Sequence, residues 1–136
     1  MNWTTKLVFG SLLSLAALSW SATQPRAADR FGVVGVENST HVTVRFQHKW
    51  GDSSWNEDVL PPGQKKWFAW EFSRPNENRT PTFHVKFDSD LSPGKFFEGY
   101  RLQAFQAPDR GWSFAHKYSF QYDRTKNFID LFDEKK

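Results

Sequence analysis

The sequence predicts an all-β protein, a single antiparallel β-sandwich or small barrel-like domain of about eight strands. Apolar and polar residues alternate with a period of two over several short segments, as they do in half-buried strands. Clusters of Gly, Pro, Asn, Asp and Ser separate those segments at regular intervals. Phe, Trp and Tyr make up 18% of the 136 residues, and such large side chains are suited to filling a small core.

Four strands are expected in the first half of the domain. They are 31–37, 41–50, 55–60 and 66–72. The second has the clearest pattern, because its apolar residues occupy alternate positions from Val42 to Trp50. In the fourth strand, Phe68 and Trp70 are two positions apart and share the inner face. Trp67 is one position before Phe68, so it is expected on the outer face.

Four more strands are expected after a polar loop at 73–80. They are 81–87, 96–107, 112–123 and 128–132. His116 stands in an otherwise aromatic row of the third, and His48 interrupts an apolar row of an earlier strand in the same way. Each histidine is predicted to be a buried polar site with a local hydrogen-bond partner. The alternative is that the two rings face each other and bind a metal or do acid–base work.

The first residues have the form of a secretory signal peptide. Lys6 precedes a mostly apolar, uncharged run at 7–20, which small residues follow. The run is short for a membrane span, so an uncleaved anchor is the weaker alternative. The sequence therefore predicts a signal peptide at 1–22 (with cleavage as late as 28 as an alternative), a β-sandwich domain at 29–132 and a charged tail at 133–136.

Charge and cysteine content exclude several classes of function. The 18 Lys and Arg stand against 15 Asp and Glu, a net charge of +3. Because binding to nucleic acid through a basic surface needs a clustered excess of positive charge, no nucleic-acid partner is expected. The chain has no cysteine, which excludes disulfides, thiolate metal sites and a cysteine nucleophile.

The absence of cysteine also bears on the compartment. Small exported domains of eukaryotes are often rich in disulfides, so this composition favours a bacterial exported protein. No apolar stretch after the signal peptide approaches the length of a membrane span. We therefore expect a periplasmic or extracellular protein without a membrane span after signal cleavage.

Recognisable catalytic motifs are absent from the chain. There is no Gly-x-Ser-x-Gly, no phosphate-binding glycine loop and no His-Glu-x-x-His. Acidic residues at 52–58 and 88–90 lack the spacing of a calcium loop and are expected to be solvated. No catalytic residue, metal or cofactor is therefore predicted.

The tryptophans are the strongest indication of function. Flat aromatic faces beside hydrogen-bonding residues are suited to sugar rings, and an exposed indole is costly to leave in water without a partner. The predicted ligand-binding residues are Trp55, Trp67, Trp50 and Trp112, of which the first two are the main candidates. Burial of these indoles at the open ends of the sandwich is the alternative.

Several short patterns resemble a family of small exported bacterial all-β domains. They are an Asn-x-Thr turn (NST, 38–40), a strand ending in KWG (49–51) and a Leu-x-Pro-Gly turn (LPPG, 60–63) before an aromatic strand. The segments "PTFHVKFDSDLSPGK" and "HKYSFQYD" continue the likeness. The resemblance implies an all-β exported domain, and it implies no activity, ligand or catalytic residue.

The function expected from these observations is non-enzymatic binding. The first hypothesis is recognition of envelope or environmental polysaccharide through exposed tryptophans. The second is a protein-interaction or inhibitor domain that meets another exported protein through an edge strand or an aromatic patch. The third is a small hydrolase that uses an inward histidine, because a site without a motif is recognised only by its geometry.

Overall fold

The computed structural model describes residues 29–91, 94–124 and 127–135, which form two β-sheets packed face to face. The predicted signal peptide lies outside these residues. The described part of the chain contains nine strands: β1 Phe31–Asn38, β2 Val44–Trp50, β3 Asn56–Leu60, β4 Lys65–Glu71, β5 Phe83–Phe87, β6 Glu98–Leu102, β7 Phe105–Ala107, β8 His116–Tyr122 and β9 Ile129–Asp133. The predicted all-β sandwich is therefore confirmed. Within the described residues, no helix is long and apolar enough to cross a membrane.

The first sheet has the strand order β4-β1-β8-β9, and the short β7 also pairs with β1. The second sheet has the order β3-β2-β5-β6. Among the strand pairs of the described residues, only β1 and β8 run parallel, with Val34 opposite His116. A long connection joins these two strands and passes through the second sheet, as a parallel pair requires.

The core lies between the two sheets and is built by the alternation seen in the sequence. In β5, Phe83, Val85 and Phe87 are fully buried, while the residues between them are partly exposed. The remaining buried members of this core are Val34, Val36, Val44, Phe46, Leu60, Leu102, Tyr118, Phe120, Ile129 and Leu131. Aromatic rings pack edge to face or tilted across it, for example Phe120 against Phe46 and Phe87.

Side-chain contacts join the two sheets along both edges. Lys66 of β4 donates to the carboxylate of Asp58 in β3. At the opposite edge, the hydroxyl of Tyr100 in β6 donates to the carboxylate of Asp130 in β9. The edge strands of one sheet are thereby tied to the edge strands of the other.

The Asn-x-Thr turn has a structural role. The buried amide of Asn38 donates to the carbonyl oxygens of Val42 and Leu60 at 2.7 and 2.8 Å. Its Oδ1 accepts from the backbone N–H and the hydroxyl of Thr40 at 2.9 and 2.6 Å. All of the hydrogen-bonding capacity of this side chain is therefore used to join the first turn to the end of β3.

Two of the predicted strands are wrong in their extent. The expected strand at 96–107 is divided, because β6 belongs to the second sheet and β7 to the first. The expected strand at 112–123 begins only at His116, since Trp112–Phe114 form a short 3₁₀ helix after Gly111, whose φ is 136°. Positive φ is accessible to glycine, and the chain turns there instead of continuing as a strand.

Candidate binding surface

Trp67 projects from the outer face of the first sheet. Its side chain is 43% exposed, whereas the neighbouring Phe68 packs inward against Phe46 and Phe83. The predicted outward position of Trp67 is confirmed. An indole with this much open surface is available to a partner.

Trp112 lies beside it on the same face. The indole packs on Gly35 of β1, where an added Cβ would lie only 2.6 Å from Cζ3 of Trp112. Gly35 is opposite Trp67 in the β1–β4 register, and cross-strand neighbours are about 5 Å apart. The 3₁₀ helix therefore brings a second indole next to the exposed one.

Two lysine side chains lie over the Trp112 ring. The Nζ atoms of Lys65 and Lys117 lie 5.0 and 5.5 Å from the centroid of the Trp112 ring. Glu37 is opposite Lys65 in the register of β1 and β4. We refer to Trp67, Trp112, Lys65, Lys117 and Glu37 as the tryptophan surface.

A pair of carboxyl groups borders this surface. The backbone N–H of Glu134 donates to the carbonyl oxygen of Lys117 at 3.0 Å, which holds Glu134 beside β8. Burial, together with a hydrogen bond to Glu37 and repulsion from its charge, raises the pKa of Glu134 to about 7. Glu134 therefore holds a proton at moderately acid pH and donates it in the hydrogen bond to Glu37.

The other two predicted tryptophans lie elsewhere. Trp50 packs against Phe83 and Trp70, with ring centroids 4.7 and 6.0 Å apart, and so extends the core at one end. Trp55 lies on the outer face of the second sheet, beside His84. The four predicted residues are therefore not one site, and only Trp67 and Trp112 are neighbours.

His48 is held among aromatic rings at the edge of the core. Its ring centroid is 4.3 Å from that of Phe68 and 5.8 Å from that of Phe83. Its Nε2 is 3.5 Å from an oxygen of Asp58. Burial lowers the pKa of His48, and the nearby Asp58 carboxylate offsets part of this effect. His48 is a largely buried residue with a local polar partner, as predicted.

His116 is buried on the core side of β8, with 5% of its surface exposed. Its ring stacks on Phe105 and Tyr118 at centroid distances of 4.3 and 4.6 Å. Its Nε2 is 3.0 Å from both carboxylate oxygens of Asp133. The prediction of a buried polar residue with a local partner is confirmed, and the partner is the last residue of β9.

The two inward histidines have separate surroundings and separate carboxylate partners. The second ring nitrogen of His116, Nδ1, is buried without a hydrogen bond, so a substrate has no open path to it. A general base must reach the proton that it removes. The geometry of His116 therefore gives no support to the hydrolase hypothesis. In the described ranges, no three His, Asp or Glu side chains come together as a set of metal ligands.

The expectation that the acidic residues at 88–90 are solvated is wrong for Asp88. Asp88 is 6% exposed. Its carboxylate accepts hydrogen bonds from the backbone N–H groups of Lys95 and Phe96. Phe96 has a positive φ of 52°, which is unusual for a residue other than glycine. Asp88 therefore fixes the backbone of Lys95 and Phe96 just before β6, a role that its place in the sequence does not reveal.

The contact of Trp112 with Gly35 was also missed by the sequence predictions. The available signal was the isolated glycine within the Val-rich segment FGVVGVE. Glycine inside a strand often marks a point where another group approaches the backbone closely. The approaching group is 77 residues away in the chain, so the pattern alone does not identify it.

Comparisons with protein families, with characterised proteins and with solved structures found no match. The resemblance to small exported bacterial domains therefore stays a prediction.

Proposed function

We propose that the chain is an exported, non-enzymatic binding protein that recognises polysaccharide through the tryptophan surface. The observation that carries this proposal is the position of Trp67, which is 43% exposed and lies opposite Gly35, the residue on which the indole of Trp112 packs. The open indole face of Trp67 offers a platform for a sugar ring, and the lysines held over Trp112 supply hydrogen-bond donors beside it.

The chemistry of the surrounding residues supports the same ligand class. The C–H faces of a sugar ring are apolar and pack on aromatic rings, while its hydroxyl groups need donors and acceptors. Lys65 and Lys117 supply donors, and the Glu37 carboxyl accepts. Because Trp67 is on β4, an edge strand of the first sheet, a long polymer has room to extend past the domain.

Export is the second part of the proposal. It rests on the apolar run at 7–20 and on the small residues that follow it. Expression of the full chain in a bacterial host, followed by intact-mass measurement of the periplasmic and culture fractions, tests this part. We expect a product that begins near residue 23, or as late as residue 29. A full-length product retained in the cytoplasm would contradict export.

A pull-down with insoluble polysaccharides tests the binding function. Purified domain is mixed with peptidoglycan, cellulose or chitin, and the bound fraction is measured against that of Trp67→Ala. We expect binding to at least one polymer and a loss of about tenfold or more in the variant, as for an aromatic residue at the centre of an interface. More than half of the Trp67 surface is covered, so its removal should lower the unfolding temperature, and the pull-down is made at a temperature where both proteins are fully folded.

Phe97→Ala is the matched control. Among the described residues, Phe97 has the most exposed large apolar side chain, at 59%, and it precedes β6 of the second sheet. Its removal should leave polysaccharide binding intact. Equal loss in both variants would mean that binding follows general surface hydrophobicity. Absence of binding to every polymer would overturn the proposal and favour the protein-interaction hypothesis.

A further inference from the structure

The outer face of the second sheet carries a cluster of basic side chains. The register places Lys49 of β2 opposite His84 of β5, and His84 opposite Arg101 of β6, in one row across three strands. Lys86 is two positions from His84, and Arg45 is four positions from Lys49, so both lie on the same face. We refer to these five residues as the basic face.

Trp55 holds two of these cations close together. The Nζ atoms of Lys86 and Lys49 lie 4.3 and 4.8 Å from the centroid of its ring. Attraction to the ring electrons offsets the repulsion between the two ammonium groups. The ion pairs found among the described residues involve neither lysine. Both charges are therefore available to an anionic partner.

The positive charges of the basic face contribute to a lowered pKa of His84. Burial, and then the charges of Lys49 and Arg101, lower the pKa of His84, while Asp52 acts in the opposite direction. The other acidic residue near the face is Glu57, which is opposite Gln47 in the register. A bound anion would relieve the repulsion that these cations impose on one another.

The surface has a shape that admits a ligand. Gly99 of β6 adds no side chain, and a Cβ at that position would meet nothing closer than 3.8 Å. A shallow depression therefore opens between Trp55, Lys86 and Arg101. Anionic groups seated there would contact both the ammonium and the guanidinium donors.

We propose that the basic face binds an acidic polysaccharide, with its carboxylate or sulfate groups on Lys49, Lys86 and Arg101. Anionic groups repeated along a polymer complement a row of cations across three strands. The Trp55 ring is occupied by ammonium groups instead of offering an open face, which disfavours the base stacking that holds single-stranded nucleic acid. The basic face is on the opposite sheet from the tryptophan surface. Binding of acidic polysaccharide by the one face is therefore independent of polysaccharide binding by the other.

Biolayer interferometry with immobilised polygalacturonate and dextran sulfate tests the proposal. Fully methyl-esterified polygalacturonate and dextran are the matched uncharged polymers. We expect the folded domain to bind the two acidic polymers and neither uncharged one. The binding should disappear at about 0.5 M NaCl, because exposed charges are screened at that ionic strength.

Two double variants separate this face from the total charge of the protein. Lys49→Gln with Lys86→Gln should weaken binding about tenfold, the effect of losing two exposed charge contacts. Arg110→Gln with Lys135→Gln removes the same charge from positions outside both surfaces, where these side chains lie over Phe31 and Phe105, and should leave the affinity unchanged. The same comparison is made with Trp67→Ala, which removes any contribution of the tryptophan surface to the binding of either kind of polymer.

Several results would overturn the proposal. They are failure to bind either acidic polymer, equal binding to the methyl ester, and equal weakening by the two double variants. Tighter binding to an oligothymidylate strand than to polygalacturonate would also overturn it, and would assign the face to nucleic acid instead.

Discussion

The indole of Trp112 rests on the backbone of Gly35, and no other residue type fits beneath it. An added Cβ would lie 2.6 and 2.9 Å from two carbon atoms of the indole and 3.1 Å from the Cβ of Ala115. Real Cβ contacts are essentially never shorter than 3.0 Å. The second indole of the tryptophan surface therefore depends on the absence of a side chain in β1.

Gly35→Ala tests this dependence directly. The new methyl group has to push Trp112 away from the sheet, and overpacking of this kind costs about 1–3 kcal/mol in the free energy of unfolding. We also expect the polysaccharide binding proposed for this surface to weaken. Chemical denaturation followed by tryptophan fluorescence measures the first effect, and the pull-down measures the second.

Gly99→Ala is the control for the loss of glycine itself. Gly99 also lies within a strand, but a Cβ there would make only ordinary contacts at 3.8 Å or more. Alanine should therefore be neutral or slightly stabilising, since it reduces the freedom of the unfolded chain. Equal destabilisation by the two substitutions would show that the contact with Trp112 is not the cause.

The alternation of apolar and polar residues in the sequence was sufficient to assign inward and outward side chains in several strands. It placed Trp67 outward and Phe83, Val85 and Phe87 inward, because side chains of a strand alternate whatever its neighbours are. It did not show which strands pair. The parallel contact of β1 with β8 depends on residues more than 80 positions apart, and no local pattern records it.

The same limit explains what was missed at the candidate sites. The aromatic row of β8 predicted that His116 is buried, but its partner Asp133 comes from the expected charged tail. Lys49, His84 and Arg101 are each outward by alternation, yet they become a cluster only when β2, β5 and β6 are adjacent. The nearly balanced total charge of the sequence therefore gave no indication that basic residues cluster on one face.

His116→Phe and His116→Asp should have opposite outcomes. Phenylalanine preserves the ring stacked on Phe105 and Tyr118, and Asp133 stays partly exposed to water, so the cost should be about 1 kcal/mol or less. Aspartate places a second carboxylate beside Asp133 in a buried position, at a cost of about 3–5 kcal/mol. Denaturation curves of both variants give the comparison, and similar costs would contradict the stacked arrangement.

Tyr100→Phe tests the tie at one edge of the sandwich. Burial, and then the hydrogen bond to Asp130, raise the pKa of the Tyr100 hydroxyl, which keeps it protonated as the donor. Loss of this bond should cost about 1 kcal/mol in the free energy of unfolding. Tyr122→Phe is the control, because its hydroxyl accepts from the exposed N–H of His41 at 3.1 Å and its loss should cost less than about 0.5 kcal/mol. An equal loss in the free energy of unfolding for the two variants would mean that the hydrogen bond from Tyr100 to Asp130 does not stabilise the fold.

Glu134 should make the stability of the protein depend on pH. Its pKa is raised from 4.5 to about 7 in the folded state, first by burial and then by Glu37. Between these values the folded protein holds a proton that the unfolded chain has lost, so the free energy of unfolding falls as pH rises. Glu134→Gln keeps a neutral side chain of the same size and should remove this fall.

His48 contributes with the opposite sign in an overlapping range. Its pKa is lowered from 6.5 by burial, so the unfolded chain binds the extra proton and stability rises with pH up to that value. The test is therefore the difference between Glu134→Gln and the unchanged protein, in which the His48 contribution cancels. We expect the variant to gain stability relative to the unchanged protein as the pH rises from 4.5 to about 7, and the difference to level off above that value. A constant difference across that range would show that the pKa of Glu134 is not raised in the folded protein.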